Sequence, residues 1–375
     1  MVRPENEPIA VNQKEPPSHL PILSMPHRSH TKECKCVINT TPQLLQVYWY
    51  LYLATMRHTG YSRLQTLRMN RPTWSQDRIL RFETSIQRPV ETSGVGLHSG
   101  VPVRLRILPA PASTGIVFVR TDLQDFQIPA SWRYVAKVSY ATSLMRQGVL
   151  ISTTEHLLSV FYSMGIDNAY VEIDNLEVPI LDGSGRPFVK LLEDAGIRSY
   201  RRRRRYLRIR RTVSVEGNGK RITILPADRF MLSCDIFFPH PLVGHQSMEM
   251  EVTPENYASE IAPARTFGFE QELDQMRNMG LIRGASLESA VCFTPDSVLN
   301  PEGLRATDEC CRHKALDLIG DLALIGRPLL GHVIAERAGH AMHVALVAKI
   351  MSDPSLYEVL SFDQLASRVA HALVS

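Results

Sequence analysis

Strand-like and helix-like patterns alternate twice in this 375-residue chain, once on each side of a strongly basic segment. Apolar and polar residues alternate over 101–110 as in a half-buried strand, and 152–166 has the apolar spacing of a helix. The second half repeats this mixture, with two strands predicted over 221–238 and a long helix over 308–326. Sheets and helices that bury their apolar faces against each other form layered units. The sequence therefore predicts an α+β fold made of two such units.

The predicted segments are an N-terminal extension (1–78), an α+β domain I (79–199), a basic linker (200–206), an α+β domain II (207–351) and a C-terminal tail (352–375). The extension is rich in Pro, His, Thr and Arg and has no sustained helix or strand period. It is either a disordered extension or a mis-assigned start, with translation beginning at Met69. We favour Met69 because the apolar patch at 44–56 would promote aggregation in a free tail.

Composition is typical of an ordinary globular protein. Apolar residues make up 44% and charged residues 21% of the chain, and a net charge of +4 is too small to indicate a nucleic-acid partner. The apolar stretch 44–56 has 13 residues, whereas a membrane-spanning helix needs roughly 20. Six scattered cysteines do not suggest a disulfide framework. We expect a cytoplasmic protein with no stable membrane insertion and no nucleic-acid partner.

Five consecutive arginines, Arg201–Arg205, stand in the basic segment 200–211. The simpler interpretation is a solvated interdomain linker that runs into a basic edge strand. A more specific interpretation is transient contact with an anion or a membrane surface. A nucleic-acid patch lacks a supporting fold motif.

The predicted helix 308–326 carries His313, Asp317 and Asp321, each four residues after the previous one. This spacing puts the three side chains near one helical face. They could form a charged surface stripe, which is common on exposed helices. Alternatively, His313 and Asp317 could bind one metal ion, because a histidine and a carboxylate suit a catalytic zinc that has three protein ligands and one open position.

Two further fragments could complete such a site. Glu155 could form a capping box with Ser152, or it could be the base that takes a proton from a zinc-activated water, with His156 as the third ligand. The residues around them do not form an HExxH motif, so the other ligands must come from elsewhere. His340 lies in a predicted strand-to-helix loop, where it is either an ordinary loop histidine or a functional side chain.

Seven segments occur in an order and at a spacing that together carry a family resemblance: GVGLHSG (94–100), STTEHLLS (152–159), GIDNAYVEID (165–174), EVPILDGS (177–184), ARTFGF (264–269), RHKALDLIGDL (312–322) and AGHAMH (338–343). From about residue 80 to about residue 351, the chain resembles the UDP-3-O-acyl-N-acetylglucosamine deacetylases of lipid A synthesis, the LpxC family. The resemblance implies two facing α+β sandwich domains with the active site at their interface. It also implies a zinc-dependent amidohydrolase, which we expect to be a monomer.

The resemblance implies a role for each matching residue. One catalytic Zn²⁺ would be held by His156, His313 and Asp317. Glu155 would be the general base, His340 the second catalytic group, Asp321 the carboxylate that orients His340, and Thr266 the residue that stabilises the oxyanion. Phe267 and Lys314 would contact the substrate, and Ala338 stands where the family commonly has Ser.

The implied reaction hydrolyses the acetamide of UDP-3-O-(3-hydroxyacyl)-N-acetylglucosamine, an acylated UDP-sugar, to acetate and the free 2-amine. It is the committed step of lipid A biosynthesis. The sequence leaves open whether Glu155 or His340 protonates the leaving amine. A zinc hydrolase acting on another N-acetyl sugar is one alternative, which ARTFGF (264–269) and Lys314 disfavour. A catalytically silent protein that binds anionic lipid or a partner protein through Arg201–Arg205 is another.

Overall fold

Strands supply the layers of the first half of the chain. The computed structural model describes residues 80–372. The strands up to the arginine run are β1 (Phe82–Ile86), β2 (Val90–Val95), β3 (Pro102–Pro109), β4 (Ile116–Arg120), β5 (Phe126–Pro129), β6 (Val135–Lys137), β7 (Ser143–Arg146), β8 (Val149–Ile151), β9 (Ala169–Ile173) and β10 (Ile197–Arg203). The helices of this half are α1 (Glu155–Ser163) and α2 (Arg186–Ala195).

The largest sheet of this half has five strands in the order β2-β3-β9-β4-β5. Along β3, the buried residues Val103, Leu105 and Ile107 alternate with the more exposed Arg104 and Arg106. This period of two puts one face of the sheet in the hydrophobic core and the other toward solvent. Strands β6, β7 and β8 form a separate sheet, and β1 pairs with β10.

The second half follows the same plan. Its strands are β11 (Arg205–Ile209), β12 (Val213–Gly217), β13 (Lys220–Leu225), β14 (Phe230–Phe238), β15 (Gly244–Glu251), β16 (Phe267–Phe269), β17 (Val291–Phe293), β18 (Leu329–Glu336) and β19 (Tyr357–Ser361). Its longer helices are α3 (Glu270–Asn278), α4 (Glu309–Leu322), α5 (His340–Ser352) and α6 (Phe362–Ala372). A one-turn helix at Pro254–Asn256 runs into a π-helical turn at Tyr257–Ile261.

Strand β18 organises the seven-stranded sheet of this half. It pairs antiparallel with β13 and parallel with β11 and β14, while β15 extends the sheet from β14. Helix α4 contacts β14 and β15, and α5 contacts β12 and β13. Sheets and helices in both halves confirm the predicted α+β class. The described residues belong to one compact unit, and the division into two domains stays a prediction.

The two halves meet through α1 and α4. Eight of the nine residues of α1 are buried, as are twelve of the fourteen residues of α4. The helices approach so closely at Gly320 that a Cβ atom there would lie 2.7 Å from the Glu155 carbonyl carbon and 2.8 Å from its Cα atom. The surface-stripe interpretation of His313, Asp317 and Asp321 is therefore wrong, because their helix is buried on nearly all sides.

The arginine run is part of two strands, with Arg201–Arg203 and Arg205 exposed to solvent and Arg204 buried. The predicted basic edge strand is wrong, while the linker between two domains stays a prediction. Arg201–Arg203 end β10, and Arg205 begins β11, which lies between β18 and β19 and not at a sheet edge. Ion pairs hold this segment in place: Arg202 binds Glu83, Arg203 binds Asp363, and the buried Arg204 binds Asp167.

The end of the chain departs from the predicted tail. Strand β19 pairs antiparallel with β11 over Arg205–Ile209, and α6 follows it. The predictions for residues 1–78, including the Met69 start, lie outside the described residues. Within residues 80–372, no helix combines the length and the apolar character needed to cross a membrane.

Replacing Gly320 with alanine should destabilise the protein. Alanine favours a helix over glycine by about 1 kcal/mol, but overpacking a close contact costs about 1–3 kcal/mol or more. Here the added methyl group meets the backbone of Glu155, which cannot move without shifting α1. We expect a net loss of about 2 kcal/mol in the free energy of unfolding, measured by urea denaturation.

Gly217→Ala is the matched control, because no atom lies within 4 Å of an added Cβ there. An unfolding free energy of Gly320→Ala equal to that of the control would show that α1 and α4 do not depend on this contact.

Candidate active site

Three potential metal ligands meet where α1 packs on α4. His156 comes from the first turn of α1, and His313 and Asp317 lie one turn apart on α4. Asp317 Oδ1 lies 3.6 Å from His156 Nε2 and 3.4 Å from His313 Nε2. All three residues are buried, and their ligand atoms lie within 4.8 Å of one another. Two imidazoles and one carboxylate match the ligand set of a catalytic zinc that keeps an open position.

The protonation states at this cluster are those of metal ligands. His313 Nδ1 donates to the Ala264 carbonyl over 3.1 Å, so the lone pair of Nε2 faces Asp317. Burial lowers the pKa of His156 to about 3 and also lowers the pKa of His313. Burial alone would raise the pKa of Asp317, but Lys314 and the nearby histidines hold that pKa below its usual value. Neutral imidazoles beside an ionised carboxylate are ready to bind a divalent metal ion.

Glu155 lies beside these ligands at the first residue of α1. Its Oε2 accepts a hydrogen bond of 3.0 Å from the backbone amide of Thr142. The capping-box interpretation is wrong, because Ser152 Oγ pairs with Ser143 Oγ at 3.0 Å and does not cap the helix. Burial raises the pKa of Glu155 to about 8, against the opposing charge of His340. Such a carboxyl group can take up a proton near neutral pH.

His340 and Asp321 form a second buried pair. His340 begins α5, so it is the first helical residue and not a loop residue as predicted, and its Nδ1 donates to Asp321 Oδ2 over 2.7 Å. His343 Nδ1 donates to the same oxygen over 2.9 Å, and the Thr142 hydroxyl donates to Asp321 Oδ1 over 2.5 Å. Burial alone would lower the pKa of His340, but Asp321 raises it to about 9. His340 therefore carries a proton at neutral pH.

The backbone of Thr266 is fixed on both sides of the residue. Its amide donates to the Gly183 carbonyl over 2.8 Å, and its carbonyl accepts from the Val291 amide over 2.8 Å. Gly183 has a φ of 78°, and a Cβ atom there would lie 2.8 Å from the Ser289 carbonyl carbon. Only glycine combines this backbone angle with so close an approach. The tight backbone at Gly183 thus supports the segment that carries Thr266.

Lys314 and Phe267 lie together beside the metal-ligand cluster. Lys314 Nζ is 2.8 Å from Asp317 Oδ2 and 5.8 Å from the centre of the Phe267 ring. The Phe267 ring meets the His313 ring edge to face, with centres 6.4 Å apart. A cation and an aromatic face are therefore available to a ligand that enters next to the metal ligands.

A buried ion pair ties the 264–267 segment to α4. Arg265 Nε lies 2.9 Å from Glu309 Oε1, and both side chains are 1% exposed. The same carboxylate oxygen accepts the Arg265 backbone amide over 3.0 Å. Because Ala264 orients His313 and Thr266 borders the cavity, this pair sets the position of one metal ligand and of Thr266 relative to the helix.

A cavity of about 600 Å³ opens in front of these side chains. Eight of the nine residues predicted from the sequence line it: Glu155, His156, Thr266, Phe267, His313, Lys314, Asp317 and His340. Asp321 lies behind His340 and is fully buried. The cavity continues along apolar side chains of α3 and the segments after it, namely Leu273, Met276, Ile282, Leu287 and Leu299.

A family model described as UDP-3-O-acyl N-acetylglycosamine deacetylase, LpxC, matches residues 83–352. The chain belongs to this family. It is 79% identical over 296 residues to the UDP-3-O-acyl-N-acetylglucosamine deacetylase of Solibacter usitatus, which covers 79% of this chain and 100% of the relative. It is 47% identical over 291 residues to the enzyme of that name from Myxococcus xanthus, which covers 77% of this chain and 91% of the relative.

Sequence reasoning missed four residues of this family site. Thr142 and His343 join Asp321, and the pair of Arg265 and Glu309 supports the ligand segment. His343 could have been found, since it lies three residues after His340 on a predicted helix. Thr142 gives no comparable signal, because its partner Asp321 is 179 residues away in the chain.

Replacing Glu309 with alanine should destabilise the protein by about 3 kcal/mol, because the buried Arg265 would keep only its half-exposed partner Glu302. Urea denaturation would measure the loss. Glu302→Ala is the control: Glu302 binds the same Arg265, but its side chain is 54% exposed. We expect the control to lose much less stability than Glu309→Ala, because solvent screens the charge of Glu302. Equal losses in the two variants would contradict a special role for the buried partner.

Proposed function

We propose that this chain hydrolyses the acetamide of UDP-3-O-(3-hydroxyacyl)-N-acetylglucosamine to acetate and the free 2-amine. The observation that carries the proposal is that three buried metal ligands share one cavity with Glu155 and His340. Membership in the deacetylase family supplies the substrate class. The reaction is the committed step of lipid A, and thus of lipopolysaccharide, biosynthesis.

One Zn²⁺ is the cofactor in this proposal, with His156, His313 and Asp317 as its ligands. Two neutral imidazoles and an ionised carboxylate, all buried, fit this ion. When bound, zinc supplies Lewis acidity that polarises the amide carbonyl and lowers the pKa of a water molecule. The side chains of the protein itself accept and donate the protons.

Glu155 is the general base of the proposed reaction. It takes one proton from the attacking water while the water oxygen forms a bond to the acetamide carbon. The Thr142 amide donates to Oε2 over 3.0 Å, so we assign the proton to the other oxygen, Oε1. A cation held by the adjacent ligands would favour the ionised form of this carboxylate.

His340 and Thr266 act on the charges that develop as the amide breaks. Nδ1 of His340 is held by Asp321, which leaves Nε2 to hold a proton near the reacting groups. We assign to Nε2 the proton that the leaving amine takes up as the C–N bond breaks. Thr266 lies in the cavity wall on a fixed backbone, and we assign its hydroxyl to the developing oxyanion. Water thus supplies the new oxygen of acetate, and the proton that Glu155 takes replaces the one that His340 gives.

The remaining cavity residues suit an amphipathic substrate. Phe267 and Lys314 are proposed to contact it beside the metal ligands, and Lys220 and Arg277 add positive charge to the lining that could meet phosphate. The apolar stretch from Leu273 onward suits a fatty acyl chain.

We propose a cytoplasmic monomer that binds an acylated UDP-sugar and has neither stable membrane insertion nor a nucleic-acid partner. We propose that Arg201–Arg205 make transient contact with a membrane surface. Ion pairs of Arg202, Arg203 and Arg204 with acidic residues weaken the alternative of a silent protein that binds anions through this run.

The test is acetate release from UDP-3-O-acyl-N-acetylglucosamine by the purified full chain, as isolated, after chelation, and after zinc is added back. We expect chelation to abolish the activity and zinc to restore it. Lack of activity in folded, zinc-loaded protein across several acyl lengths would overturn the substrate assignment. Activity that survives complete metal removal would overturn the metal assignment.

Replacing Glu155 with glutamine should lower kcat by about 100- to 10,000-fold, the usual contribution of a general base. Zinc content, measured by inductively coupled plasma mass spectrometry, should not change, because Glu155 is not a proposed ligand. Glu172→Gln, in β9, is the control and should keep wild-type kcat. A Glu155→Gln enzyme within about tenfold of wild-type kcat would contradict the assigned role.

A further inference from the structure

Thr142 contacts both proton-carrying groups of the site through different atoms. It lies just before β7 and is fully buried. Its backbone amide donates to Glu155 Oε2 over 3.0 Å, and its hydroxyl donates to Asp321 Oδ1 over 2.5 Å. The same hydroxyl oxygen lies 3.2 Å from His340 Nδ1.

Thr142 is itself held at the start of α1. Its carbonyl accepts the Thr154 amide over 3.2 Å and the Thr154 hydroxyl over 3.1 Å. Because Thr154 immediately precedes Glu155, the segment before β7 and the first turn of α1 form one hydrogen-bonded unit. Movement of Thr142 would therefore also move the carboxylate of Glu155.

The hydroxyl of Thr142 completes the set of donors around Asp321. His340 and His343 both donate to Oδ2, whereas Thr142 donates to Oδ1. Asp321 is fully buried, so without Thr142 its Oδ1 would lose this donor away from water. The carboxylate could then rotate and exchange its oxygens, and the His340 ring would follow its acceptor.

We propose that Thr142 is a positioning residue for the deacetylation reaction. Its hydroxyl fixes the Asp321 carboxylate, and through it the orientation of His340, while its amide fixes one oxygen of Glu155. Thr142 touches neither the metal ligands nor, in this assignment, the substrate. The inference rests on the proposed deacetylase function.

Thr142→Val, which keeps the shape and the backbone amide but removes the hydroxyl, tests this inference. We expect kcat for acetate release to fall about 10- to 100-fold, as for loss of one hydrogen bond to a buried charge, with KM within about twofold of wild type. Thr142→Ser should restore kcat to within about threefold of wild type. Ser143→Ala is the matched control, because this neighbouring buried hydroxyl contacts Ser152 and neither Glu155 nor Asp321. If the valine variant does not fold, Thr142→Ala replaces it in every comparison.

A double-mutant cycle separates positioning from general loss of structure. If Thr142 acts through Asp321, adding Thr142→Val to the Asp321→Asn variant should lower its kcat by less than about twofold. Three results would each overturn the inference. The first is a double variant whose loss in kcat is the product of the two single losses. The second is a serine variant as impaired as the valine variant, and the third is a valine variant with wild-type kcat. Wild-type enzyme is assayed in parallel, so failure of the proposed function would show as an inactive wild type, and failure of this inference as one of these results.

Discussion

The contact between α1 and α4 at Gly320 is the constraint on which the rest of the site depends. One helix supplies Glu155 and His156, and the other supplies His313, Asp317 and Asp321. These side chains meet where the backbones of the two helices lie at an unusually short distance. The absence of a Cβ atom at Gly320 permits that distance, since the space is filled by the backbone of Glu155. Gly320, which lets the helices pack, thus lies next to Asp321, the carboxylate that accepts from His340.

So close a contact places several ionisable groups out of water, and each needs a compensating partner. Asp317 has Lys314, and Asp321 has His340 and His343. Further from the cavity, the pair of Arg265 and Glu309 joins the ligand segment to the start of α4. These partners compensate the buried charges and also fix the geometry, because each charged hydrogen bond has a preferred direction. Stability and positioning of the ligands therefore rest on the same bonds.

The family resemblance predicted the set of site residues, but the part of the site that the residues predict without it depends on local spacing. The i, i+4 relation of His313 and Asp317 follows from helical periodicity, and the helix forms as predicted. Contacts between distant segments have no such signal in the sequence. Thr142 binds Asp321, which is 179 residues away in the chain. Arg203 pairs with Asp363 and with a residue of β1. The Ser152–Glu155 pattern fitted a cap, but Glu155 turns to Thr142 instead. The sequence pattern does not show that Glu155 is buried against Thr142, so it could not exclude the capping box.

Different partners explain how two neighbouring buried groups can have the opposite tasks proposed for them. Glu155 is buried beside Asp317 and receives one backbone donor, and burial raises its pKa to about 8. His340 lies against Asp321, and its pKa rises to about 9. A raised pKa makes the carboxyl group a better proton acceptor and keeps the imidazole charged, which suits the proposed base and the proposed acid. Thr142 bonds to the acceptors on both sides of this division. The same buried residue therefore sets the geometry of the acid and of the base, and the two cannot be displaced independently.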